Sequence, residues 1–211
     1  PSIQLSSQRA LKSGMNLIKC LSLVKIFRKQ NIHTPIILMG YYNPIYKFGK
    51  KKFVQLCLNS GVDGLIIVDL PPEEDKEFYI NAEKNKLSII RLVTPTTNEK
   101  RLNKILFNAT GFVYYVSITG ITGTQAPNIE NVSINVKKIN SVTNLPVVIG
   151  FGIRSPSQAL SMANISDGIV VGSAVVDLIK SSLDKDDNPT KNTLNSCLDF
   201  IGKVSKSVKH N

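Results

Sequence analysis

Six short, almost wholly apolar runs recur along the 211-residue chain, each followed by a longer segment of helical period. They are TPIILMG at 34–40, GLIIV at 64–68, SIIRL at 88–92, GFVYYVS at 111–117, LPVVI at 145–149 and GIVV at 168–171. A strand that is apolar at every position is buried on both faces, the condition of a parallel sheet covered by helices. Parallel neighbours need helical crossovers, and the segments between the runs are long enough to supply them. Helices are expected near 53–59, over 72–85, 99–107, 132–140 and 156–163, in turns from Ser173, and from about Thr190. The chain opens with a helical pattern over 8–30, has no strand before it, and begins at Pro1 rather than methionine. A (β/α)8 TIM barrel has eight such units in roughly 250 residues. The pattern therefore predicts an α/β fold: an incomplete (β/α)8 TIM barrel with six β/α units present and the first two strands absent. It would be a single domain over residues 1–211, the C-terminal three quarters of a barrel. An open, doubly wound sheet of six strands is the rival architecture.

Local signals place several boundaries. Ser155-Pro-Ser-Gln158 is a capping box with proline at the first helical position. Glu73, Glu74 and Asp75 fall in the expected first turn of a helix, where carboxylates favour the dipole. Asn59-Ser-Gly61 stops the helix before GLIIV.

Composition excludes more than it selects. Cys20, Cys57 and Cys197 are far apart and form no Cys-x-x-Cys pair, which argues against a zinc site or disulfide framework and for a reducing compartment. Cys20 and Cys57 lie in apolar helical patterns and are expected as buried thiols. No apolar run approaches the roughly 20 residues of a membrane span, and the polar opening is no signal peptide. The net charge of +11 comes largely from lysines scattered over helix faces, as in FGKKKF and KVSKSVKH, without interleaved arginines and aromatics. That distribution favours a phosphorylated small molecule over nucleic acid.

The glycines carry most of the functional information. Gly150-Phe-Gly152 and Gly172-Ser173 each follow a strand and open a helix. In a parallel barrel both turns lie on the C-terminal rim, where glycine lets a ligand approach the backbone and free helix amides favour an anion. Two such turns after consecutive strands predict a phosphate cup on the last βα loops, with Ser173 adding a hydroxyl. Asp69, just after GLIIV, is a candidate catalyst by position, with a loop-fixing or interface role as the plainer option. Tyr114 and Tyr115 must point to opposite faces of one strand. Residues 117–127 (SITGITGTQAP) are small and polar enough to form a mobile lid. His33 and His210 stand away from this rim and are not expected to be catalytic.

LMGYYNPI, GLIIVDLPPEE, YYVSITGITGT, IGFGIRSP and VVGSAVV, in this order and spacing, resemble the tryptophan synthase alpha chain family, and PSIQLSSQRAL resembles its Pro-x-Ile-Gln segment. The resemblance covers essentially the whole chain. It implies a carbon–carbon lyase that splits indole-3-glycerol phosphate into indole and glyceraldehyde 3-phosphate by a retro-aldol step without a cofactor. Pyridoxal phosphate would sit only on a beta subunit, which would receive the indole within an α2β2 assembly. Carried over by position, Gly150, Gly152, Gly172 and Ser173 would hold the phosphate with Gly123. Tyr114 would face the glycerol phosphate, and Thr122 would close the lid. Ile66, Val68, Leu92 and Val170 would wall the indole pocket. Tyr41, Tyr42, Asn43 and Pro44, in a loop, would face the beta subunit with Asp69.

The family's catalytic glutamate and aspartate would both lie before Pro1, so the chain is expected to be an N-terminally truncated piece, inactive alone. Ile118 stands at a lid position that is basic in some members. The alternatives are another phosphate-sugar barrel and a non-catalytic phosphate-binding barrel that activates a partner subunit. The expected compartment is the cytoplasm, or a plastid stroma if the gene is plastid-encoded.

Overall fold

The structure, a computed structural model, describes residues 2–117, 128–150 and 152–208. Helices and strands alternate in the order α1 (Ser2–Lys12), α2 (Leu17–Arg28), β1 (Ile37–Gly40), α3 (Tyr42–Phe48), α4 (Lys50–Ser60), β2 (Gly64–Ile67), α5 (Lys76–Lys84), β3 (Ser88–Ile89) and β4 (Arg91–Val93). There follow α6 (Glu99–Leu106), β5 (Val113–Val116), α7 (Ile129–Asn140), β6 (Val147–Gly150), α8 (Pro156–Ala163), β7 (Gly168–Val170), α9 (Ser173–Ser182) and α10 (Lys191–Val208). The six expected strand positions are all occupied; β3 and β4 are two halves of one of them, separated by Ile90. β1 with β2, β2 with β3 and β6 with β7 pair in parallel, as double-sided burial required.

Three expectations about local structure are corrected. The opening helix is two helices, because Gly14 adopts φ 77° and Asn16 starts α2 by accepting from the Lys19 amide at 3.0 Å. A proline pattern read as loop is helical: α3 takes in Tyr42, Asn43 and Pro44 within its first turn, where a missing N–H costs nothing. The helix expected from residue 72 begins at Lys76. Asp75 is its cap, accepting from the Phe78 amide at 3.1 Å, so Glu73 and Glu74 precede the helix and Glu77 is its first-turn carboxylate.

The chain divides into two compact units, and each has its own core. The first comprises Met15–Val93 and Thr97–Val113. There β1, β2 and β3 lie side by side, with Leu38 opposite Leu65 and Met39 opposite Ile66. Leu65 and Ile67 join Val54, Cys57, Phe53 and Phe78 from α4 and α5 in one buried cluster. The alternate positions face the other way: Ile66 is buried, but Met39 on the edge strand β1 is 58% exposed.

Arg28, the last residue of α2, ties this unit together. Its Nε donates to Gly61 O at 2.7 Å, and one terminal nitrogen donates to Thr34 O at 2.7 Å and Asn31 O at 3.2 Å. The other pairs with Asp63, whose carboxylate also accepts from the Ile36 amide at 2.7 Å. Gly61 is needed twice over. It sits at φ 85°, and a Cβ there would lie 2.8 Å from Arg28 Cγ.

The second unit comprises Pro1–Gly14, Thr94–Thr96 and Tyr114–Asn211. In it β5, β6 and β7 are neighbours in that order, and α10 packs on α8 and α9 while α1 packs on α9. Val147 and Ile149 are fully buried, with Val136, Ile139 and Ala159 from the helices.

Replacing Arg28 by Met should destabilise the protein by about 2–3 kcal/mol, since it strands three carbonyls and a carboxylate; equilibrium urea unfolding measures this. Cys57 is fully buried, and burial, helped by nearby Cys20, pushes its thiol up to about 12. The half-buried Cys20 is less enclosed than expected. In the folded protein a disulfide reagent at pH 8 should therefore modify Cys20 and Cys197 and spare Cys57 until denaturant is added. Because the folded state keeps the Cys57 proton longer than the unfolded chain, its contribution to stability is complete below the unfolded thiol pKa. It is lost as pH rises from there toward 12.

Candidate phosphate-binding site

Gly150 ends β6 and pairs in register with Val170 at the end of β7. Gly152 and Gly172 follow at the same remove, two residues beyond the paired ends. Equal register sets the two strand ends level.

Gly152 has φ 79°, a conformation that L side chains rarely adopt. Gly172 occupies the cap position of α9, and no side chain caps that helix. The first intrahelical bonds run from the Val175 and Val176 amides to Gly172 O at 3.0 and 3.2 Å. The amides of Ser173 and Ala174 precede them, at the positive end of the helix dipole. An oxyanion set there gains both hydrogen bonds and favourable charge.

Gly150 serves a different purpose from its neighbours. It is buried, and its carbonyl accepts from the Ser117 amide at 3.1 Å and the Ser117 hydroxyl at 3.0 Å. A Cβ at this position would overlap the ring and hydroxyl of Tyr114. Glycine at 150 is thus what admits the Tyr114 side chain beside the turn. Tyr114 and Tyr115 are both buried, and burial raises both phenols above the ordinary tyrosine value.

The turn after β6 is braced from α8. Ser155 Oγ accepts from the Gln158 amide at 3.2 Å, and Gln158 Oε1 accepts from the Arg154 amide at 2.8 Å. The expected capping box is therefore shifted by one residue, since the glutamine returns to Arg154 rather than to Ser155. Arg154 is exposed and its guanidinium pairs with Asp177 of α9 at 3.2 Å, a contact across the two helices that carry the turns. Neither partner stood out in the sequence, because an arginine and an aspartate 23 positions apart have no periodic relation.

The other predicted residues fall as follows. Val68, Asp69 and Leu92 line one cavity of about 220 Å3 together with Tyr79 and Arg91. Val68 is 43% exposed, Leu92 half-buried and Ile66 buried away from that cavity. Val170 belongs to the second unit, beside Gly150. Asp69 Oδ1 accepts from the Tyr42 amide at 2.8 Å, so this carboxylate holds the start of α3. Tyr41 precedes α3 and is exposed. Tyr41, Tyr42, Asn43 and Pro44 thus form a helix start clamped to Asp69, where the sequence suggested a loop. The Tyr42 ring packs edge-on against Phe78 with centroids 6.0 Å apart. Thr122, Gly123 and Ile118, with most of the predicted lid, lie outside the described residues, as does His210. His33 is exposed before β1. Among the described residues no three His, Cys, Asp or Glu side chains group as metal ligands, and no helix is long and apolar enough to cross a membrane.

Known proteins share this architecture along the whole chain. The tryptophan synthase subunit alpha of Legionella pneumophila is 32% identical with a TM-score of 0.88, covering 100% of this chain and 76% of that one. The corresponding subunit of Campylobacter jejuni is 29% identical with a TM-score of 0.78, over 92% of this chain and 73% of that one. A chain of the tryptophan synthase α2β2 complex of Pyrococcus furiosus is 35% identical with a TM-score of 0.81, over 95% of this chain and 80% of that one. The incomplete (β/α)8 barrel and the resemblance read from the motifs both stand on these likenesses. With the tryptophan synthase alpha chain family model matching residues 1–205, the chain belongs to that family.

Proposed function

We propose that this chain supplies the phosphate grip and substrate walls of an alpha subunit that cleaves indole-3-glycerol phosphate and hands the indole to a beta subunit. Its family consists of lyases of tryptophan biosynthesis. The observation that carries the reading is the level placement of the two glycine turns by the Gly150–Val170 pairing. Main-chain amides of Gly152, Gly172 and Ser173 would bind the phosphate dianion, with Gly123 closing from the lid. Tyr114, admitted beside the turn by Gly150, would lie along the glycerol chain. Ile66, Val68, Leu92 and Val170 would give the indole ring its apolar surroundings, and Thr122 would close over it.

The cleavage needs a proton delivered to the indole carbon at the breaking bond and a carboxylate stabilising the ring nitrogen. The resemblance puts both carboxylates before Pro1. Asp69 does not replace them in this reading, because it already accepts from the Tyr42 amide. It would instead present Tyr41, Tyr42, Asn43 and Pro44 to the beta subunit, in an α2β2 assembly like that of the Pyrococcus furiosus complex. No cofactor is assigned to this chain, and pyridoxal phosphate would be the partner's. The 211 residues, read as one barrel domain, would by themselves not turn over substrate.

Assays with purified beta subunit test the assignment. The 211-residue chain should show no indole release, and a chain extended by the family glutamate and aspartate should regain it. Indole release at the same rate from both would remove the upstream carboxylates from the mechanism. Ser173→Glu should weaken glyceraldehyde 3-phosphate binding at least tenfold by placing a carboxylate against the dianion. Thermal stability should hold or rise, since an acidic residue suits a helix N-terminus. Unaltered affinity in a titration of this variant would move the phosphate elsewhere. Gly150→Ala should displace Tyr114 and cost about 1–3 kcal/mol of stability as an overpacked position, with loss of substrate affinity read in the same titration.

A further inference from the structure

Arg91 also borders the smaller cavity beside Val68 and Leu92, and it is the most enclosed cation among the described residues. It is 7% exposed on β4, its guanidinium carbon stands 4.1 Å over the Tyr79 ring, and its Nε has no hydrogen-bond partner. Among the described residues no carboxylate lies within ion-pair distance of it. A buried cation without a counter-charge is costly, and aromatic stacking offsets only part of that cost.

Arg91 borders a cavity of about 730 Å3 between α5 and α6, floored by β3. That is the size of a metabolite site, and its surface is mainly apolar, as such sites are. Ile80, Leu87, Ile105 and Phe107 supply the apolar walls, and Ser88 adds a hydroxyl. Three lysines, Lys76, Lys86 and Lys104, stand around it, and none is in an ion pair among the described residues. Against these four cations the cavity has two carboxylates, Glu73 and Glu83, and Glu73 is already taken by Arg101. The cavity therefore combines an apolar body with an excess of positive charge and one buried guanidinium whose Nε lacks an acceptor.

We infer that the α5–α6 cavity is a second ligand site, taking an amphipathic carboxylate: an aromatic or branched apolar body with its anionic group against Arg91. A planar carboxylate is the natural complement of a guanidinium fork, and the lysines raise the local concentration of anions at the mouth. The site shares no residue with the glycine turns, so its occupancy is separable from phosphate binding.

The test uses the full chain and 3-phenylpropanoate as probe, with the neutral 3-phenylpropanamide as control, followed by calorimetric titration and thermal shift. The carboxylate should bind and raise the melting temperature, and the amide should bind at least tenfold more weakly. Arg91→Met should lower carboxylate affinity at least tenfold while leaving glyceraldehyde 3-phosphate binding unchanged. Should that variant fail to fold, Lys76→Glu/Lys104→Glu, altered only at exposed positions, should weaken the carboxylate several-fold and not the amide. Equal binding of carboxylate and amide, no binding of either at millimolar concentration, or full carboxylate affinity in a folded Arg91→Met or lysine-reversed protein would each overturn the inference.

Discussion

The parallel pairing of β6 with β7 is the constraint on which the candidate site depends. With Gly150 opposite Val170, the chain leaves both strands at the same level. A slip of one residue in that register would reverse the faces of every side chain on the slipped strand and move one turn relative to the other. The pairing is held by burial: Val147 and Ile149 are inaccessible to solvent, and Val148 faces Gly168 across the ladder. What positions the main chain of the two turns is an apolar core.

A second constraint organises the first unit. Arg28 collects carbonyls from Asn31, Thr34 and Gly61 and a carboxylate from Asp63. The end of α2, the approach to β1 and the turn before β2 are thereby tied at one guanidinium. Further along the same strands, Asp69 and the Tyr42 amide perform the corresponding task. One end of the β1–β2 pair is held by the half-buried Arg28 network. The other is held by a carboxylate at a helix start, next to the exposed Tyr41 and Tyr46.

The parts of the fold visible in the sequence are those specified by neighbours in the chain. Fully apolar runs marked the strands, and Ser155-Pro156 marked the start of α8 at the residue where it begins. Gly61 marked the end of α4 through a left-handed turn. Errors came where two local signals competed. Residues 8–30 keep a helical period across Gly14, yet a glycine at positive φ followed by an asparagine cap outweighs the period. Pro44 and Asn43 read as loop formers, yet both are tolerated in the first turn of α3, whose first amide is satisfied by Asp69, 27 positions away. Arg91 gave no signal because a single charge in an apolar strand has no period. Its burial depends on which face of the strand α5 covers.

By itself the sequence determined the class of fold, the strand and helix order, and the glycine turns after β6 and β7, because each follows from hydrophobic period and backbone freedom over a few residues. Only the tertiary structure decided that Gly150 makes room for Tyr114, that Asp69 is spent on holding α3, and that Arg91 is enclosed with its Nε unpartnered among the described residues. Those outcomes depend on the close approach of residues distant in the chain. Packing in three dimensions sets that approach, and no local pattern encodes it.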